Sequence, residues 1–226
     1  MSSVTHLWAI FLGTFIGLLP IINPLAAAPT FLAITEGDSP ARRREQARKG
    51  CFYMVGILMS FLIGGTFIMN FFGISIPGLR IAGGIMMTGI GMGMLTAQKS
   101  AAKPDDEERE AARKKLDISF SPLAMPMLSG PGSIAVTLGF TSLATSWTDY
   151  IAIIAGIISV ALLTYLVLRL SGRIVGLIGP VGLNAMTKIM GFLIMCIGVQ
   201  FVVNGVLGIA TDPELLRGIR DALAAH

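Results

Sequence analysis

Six apolar segments, at about 7–34, 50–72, 77–97, 118–144, 150–170 and 186–210, take up most of the chain. A hydrocarbon core about 30 Å thick takes about 20 apolar residues per helix. Lipid offers no partner for a backbone N–H or C=O, so such segments must close their hydrogen bonds internally, as helices. Only 13% of the 226 residues are charged and 54% are hydrophobic. A soluble domain carries roughly 25% charge. The expected fold class is therefore all-α, a polytopic membrane protein with six transmembrane helices in one membrane domain, 1–226.

The basic residues lie between the segments. The first link (36–49) holds Arg42, Arg43, Arg44, Arg48 and Lys49. The third (98–117) holds Lys99, Lys103, Arg109, Arg113, Lys114 and Lys115 among five acids, and the fifth holds Arg169 and Arg173. The second and fourth links carry no Lys or Arg. Lysine and arginine mark cytoplasmic links, so links one, three and five are expected inside and both termini outside. The same distribution explains the +4 net charge without nucleic acid. The third link alternates charge at helical spacing and reads as a solvated linker, with a short surface helix as an option. No Lys or Arg precedes the first apolar run, which argues against a signal peptide although PLAAAP resembles a cleavage site. Two cysteines and two terminal histidines cannot build a metal cluster or a nucleophilic triad, so no enzyme, cofactor or metal is expected.

The first and fourth segments are interrupted. PIINPLAAAP occupies 20–29 and PMLSGPGSIA 126–135. Proline in a helix interior removes a donor and clashes with the preceding turn, at about 3 kcal/mol. It is favoured at the first position of a new helix, and asparagine is favoured just before it. Asn23-Pro24 thus reads as a helix start, leaving the N–H groups of Leu25, Ala26 and Ala27 without acceptors. Ser129-Gly130-Pro131-Gly132-Ser133 repeats the pattern. Both starts fall about 15 Å from the cytoplasmic face. The ordinary meaning of one such break is a packing kink. Two matched breaks suggest paired helix starts, each with about half a positive charge, facing a carboxylate.

LRIAGGIMM (79–87) aligns with TKIMGFLIM (187–195) at an offset of 108. Pro24 and Pro131 are 107 apart, and Pro20 and Pro126 are 106 apart. These landmarks suggest two three-helix halves, repeat A at about 1–97 and repeat B at about 118–226, joined by a cytoplasmic linker at 98–117. An odd number of spans per half makes the repeats inverted. Arg80 and Lys188 would exchange places across the two-fold axis. Both also read as side chains snorkelling to an interface. With Pro20 and Pro126 they are candidate gating or pathway residues.

Asn70, Gln200 and Asn204 read as interhelical hydrogen-bonders, and the glycine-rich stretch 83–94 as a close-packing face. No acid lies deep in a span, so a proton relay is not expected.

The six-span pattern with INPLAAAP and SGPGSI resembles the MarC family of bacterial integral membrane proteins across essentially the whole chain. The resemblance implies a multi-pass inner-membrane protein, similar at a distance to the LysE group of amino-acid exporters. Some relatives are described as neutral amino-acid transporters. A drug-resistance role does not follow from the family name. Leu25-Ala26 stands where the family usually has glycine or a similarly small residue, a departure that bears on pocket width.

These readings converge on a secondary transporter or exporter of small neutral amino acids or related carboxylates. Its substrate-binding residues would be Asn23, Pro24, Leu25, Ala26, Ser129, Gly130, Pro131, Gly132 and Ser133. The expected partners are that small-molecule substrate and the lipid bilayer, with a homo-oligomer left open. The alternatives are a membrane thiol oxidoreductase and a non-transporting scaffold or assembly factor. The first needs Cys51 and Cys196 within disulfide reach, and their depths differ by about 15 Å at helical rise.

Overall fold

A computed structural model describes residues 3–96, 117–141, 144, 146–212 and 217. In chain order the helices are α1 (Ser3–Ile22), α2 (Pro24–Ile34), α3 (Pro40–Phe72), α4 (Ile76–Thr96), α5 (Ser119–Leu128), α6 (Pro131–Thr141), α7 (Trp147–Arg169) and α8 (Ser171–Ala210). Among the described residues five stretches are long and apolar enough to span a membrane: Val4–Ile22, Pro40–Phe72, Ile76–Thr96, Trp147–Arg169 and Val181–Ala210. The fourth expected segment is the exception, because α5 and α6 divide it. The linker expected at 98–117 lies outside the described residues except for Asp117.

Local chemistry sets the ends. Ser39 caps α3 by accepting from Arg42 N–H, with Pro40 in the first turn. Gly73, at φ 65°, ends the same helix in a left-handed conformation that costs glycine nothing. Gly179, at φ 68°, interrupts α8 just before Pro180. The last span therefore begins at Val181 rather than near 186. A Gly-Pro pair is a turn signal that the periodicity of this apolar stretch obscures.

α4 packs most extensively on α8, α1 on α7, α3 on α5, α6 and α7, and α2 on α8. The α4–α8 contact depends on missing side chains. A Cβ on Gly84 would lie 2.5 Å from Gly198 O, and one on Gly91 2.5 Å from Gly191 O. The glycine-rich stretch is thus a close backbone contact, as its composition suggests. The pairs 84/198 and 91/191 run in opposite directions, so the two helices are antiparallel. The core includes Leu18, Phe31, Met54, Leu58, Met87, Leu128, Ile153, Ile157 and Ile194.

The links separate by charge. Arg43 Nε donates to Thr35 O at 3.1 Å, Ile118 N–H to Gln46 Oε1 at 3.2 Å, and Lys49 pairs with Asp117 at 3.5 Å. The Ser119 hydroxyl and N–H, with Lys49 beside them, hold the Asp117 carboxyl below its ordinary pKa. Residues of the first and fifth links line one cavity. The first link, the fifth and the end of the third therefore share one face. At the other end of the bundle, His6 lies 3.3 Å from Asp149.

Gln200 and Asn204 do not bridge helices. Gln200 Nε2 donates to Asn204 Oδ1 at 2.9 Å along α8, and both side chains are exposed. Their four-residue spacing lets each satisfy the other on one helix face.

Candidate functional site

Both predicted helix starts exist: α2 begins at Pro24 and α6 at Pro131. Asn23 sits at φ 43° and ψ 64°, in the left-handed region, where asparagine is among the few residues tolerated. Its Oδ1 accepts from Ala26 N–H at 3.2 Å, and its backbone O accepts from Ala27 N–H at 3.0 Å. Two of the three donors expected to be free are therefore used. Asparagine as a cap brings its own acceptors, so at most Leu25 N–H is left at this end. What remains unpaired is the other half of the amide: Asn23 Nδ2 is buried and has no hydrogen-bond partner among the described residues.

The second break is built differently. α5 is a wide, kinked helix in which Ser121 and Met125 are extended, at φ −133° and −131°. Each precedes a proline, and proline disfavours helical geometry in the residue before it. Ser129 and Gly130 then separate α5 from α6. No side chain caps α6 in the way that Asn23 caps α2. Ser133 Oγ instead donates to Gly130 O at 2.8 Å, which satisfies a carbonyl. Ser129 is fully buried, and its hydroxyl has no partner among the described residues.

The fold brings the two breaks together. A Cβ on Gly132 would lie 3.1 Å from Ile21 Cγ2, beside the first break, and 3.7 Å from atoms of Met87 and Ile90. Those two residues lie near the middle of α4, so the junction is at mid-depth. Ile21, Met87 and Ile90 fill the space against Gly132 in this conformation. Nothing in their sequence context marks them as site residues, since apolar residues are ordinary in a span.

A crevice of about 370 Å³ opens beside the second break. Ser129, Gly130 and Pro131 line it, opposite Gly83 and Met86 of α4. The residues of the first break are not among its walls. The accessible surface of the crevice is almost entirely apolar.

The other candidates lie apart. Arg80 is in the first turns of α4 and half-buried, while Lys188 is exposed on α8. Pro20 falls within the last turn of α1 and Pro126 within α5. Cys51 is buried, Cys196 is exposed and both are free thiols, which weighs against a thiol couple. One acid escaped the sequence reading. Asp149, 1% exposed at the start of α7, accepts from Ser146 N–H at 3.0 Å. Its signal was the Ser-x-x-Asp capping pattern at 146–149.

The family described as MarC family integral membrane protein matches residues 8–210. The chain is similar to the "UPF0056 inner membrane protein MarC" of Salmonella paratyphi A, with 40% identity over 212 residues, covering 89% of this chain and 95% of the relative. The proteins of the same name from Salmonella typhimurium and Escherichia coli O1:K1 match at the same identity and coverage. No solved structure matches. Its broken first and fourth segments thus lie within a match covering nearly the whole length, and the chain belongs to the MarC family of integral membrane proteins.

Proposed function

We propose that the protein is a secondary transporter of small neutral amino acids or related carboxylates in the inner membrane, and not an enzyme. One observation carries this reading. Two hydrogen-bonding groups, Asn23 Nδ2 and Ser129 Oγ, are buried at adjacent helix starts without partners among the described residues. A buried polar group without a partner costs about 1–3 kcal/mol, so its persistence calls for an explanation. A carboxylate between the two starts would accept from both and would meet the positive ends of α2 and α6. The apolar crevice beside Ser129 suits a small uncharged side chain.

The inverted repeat belongs to the same proposal. α1 packs on α7 as α3 packs on α5, and α2 packs on α8 as α6 packs on α4. A two-fold axis near Met87 and Met195 would exchange each pair. Broken helices matched across such an axis are a recurrent transporter design. The inner-membrane assignment follows the relatives' name, and the arginine-rich face is read as cytoplasmic, with the termini outside.

The test is purified protein in proteoliposomes, assayed for counterflow of a panel of small neutral amino acids and organic acids, with thermal shift in parallel. Saturable exchange of at least one compound, with matching stabilisation, is expected. A protein that exchanges none and is stabilised by none contradicts the proposal in favour of a scaffold.

A further inference from the structure

A second cavity, of about 430 Å³, lies where the end of α2 and the start of α3 meet the turn between α7 and α8. Arg43 and Arg44 line it from the first link, and Arg169 and Arg173 from the fifth. No carboxylate among the described residues is part of its walls. Among the described residues none of the four guanidiniums pairs with an acid, whereas the neighbouring Arg42 pairs with Asp38 at 3.3 Å. Ser171, 3% exposed, also lines the cavity.

Four like charges around one small space repel each other unless an anion lies between them. A cytoplasmic topology signal needs only that arginines be present. It does not need two links, more than a hundred positions apart in sequence, to converge on one concavity. Guanidinium is planar and offers paired donors that match phosphate oxygens. Phe31 and Leu168 supply apolar surface next to the charges.

We propose that this cavity is a binding site for a phosphate group at the arginine-rich face, separate from the site at the helix breaks. The bound group is the phosphate of an anionic lipid headgroup or of a soluble phosphate compound. The cavity holds the first link to the turn between α7 and α8 when occupied. The apolar walls favour the lipid source.

The full chain in neutral detergent would be titrated with phosphatidylglycerol, phosphatidylcholine and inorganic phosphate, with binding read by native mass spectrometry and thermal shift. Wild type should bind phosphatidylglycerol and gain thermal stability, while phosphatidylcholine has no effect. R169Q/R173Q should weaken binding by about tenfold or more, through loss of two charge-assisted contacts. R44Q, on the opposite wall, should weaken it as well, which covers a folding failure of the double variant. R48Q, outside the cavity, should bind as wild type does. Inorganic phosphate that reproduces the stabilisation with the same variant pattern supports the site and identifies its source as soluble. Anion binding that is equal in wild type, R44Q and R169Q/R173Q overturns the proposal, as does the absence of any anion binding.

Discussion

The two breaks look alike in sequence, yet the structure closes them by opposite means. At the first, a single left-handed residue joins two helices, and hydrogen bonds continue on both sides: Asn23 N–H to Leu19 O and Ala27 N–H to Asn23 O, both at 3.0 Å. At the second, backbone bonds also flank the break, Ser129 N–H to Ala124 O at 2.8 Å and Ile134 N–H to Gly130 O at 3.2 Å, but two residues separate α5 from α6, α5 is already kinked, and the Ser133 hydroxyl serves a carbonyl. The difference comes from the residue before the proline. Asparagine carries an acceptor to the helix start; glycine carries none. Equal proline spacing therefore does not give equal numbers of free donors.

The largest effect should come from Asn23→Ala. It forces an ordinary residue to φ 43° and removes the cap to Ala26. Left-handed geometry costs about 1–2 kcal/mol and a lost cap about 1, so unfolding in mixed micelles should show a loss of about 2–3 kcal/mol. Ser133→Ala comes next. Removing the 2.8 Å bond to Gly130 O should cost about 1 kcal/mol in the same titration. If that loss equalled the Asn23→Ala loss, the two breaks would be equally held and the contrast would fail. Asn23→Gly sharpens it further, since glycine accepts the dihedral and loses only the cap, for a few tenths of a kcal/mol. A large loss in Asn23→Gly would mean that the side chain, and not the backbone conformation, dominates the first break.

Much of this was readable before the structure, for identifiable reasons. Pro24 and Pro131 each open a helix because proline at a first position gives up no hydrogen bond. Glycines at 84 and 91 mark a backbone contact because nothing else allows such approach. The kinks at Ser121 and Met125 were also legible, from the prolines that follow, but a long apolar run conceals them. Donor accounting at Asn23 was not legible. It depends on a side-chain rotamer and a left-handed backbone that sequence does not fix. Nor does the sequence indicate that Ser129 is buried with an unused hydroxyl, or that Ile21 faces Gly132, because both follow from how two distant segments meet.

If the paired helix starts bind the transported solute, Ser129→Ala is the variant that shows it most directly. The variant removes one buried hydroxyl that no protein group uses, so thermal stability should be unchanged or slightly higher. In counterflow with a compound that wild type exchanges, its transport should fall about tenfold or more, consistent with loss of a hydrogen bond to a charged ligand. Unchanged stability with wild-type transport and affinity in Ser129→Ala would contradict the account and reduce the second break to a packing kink.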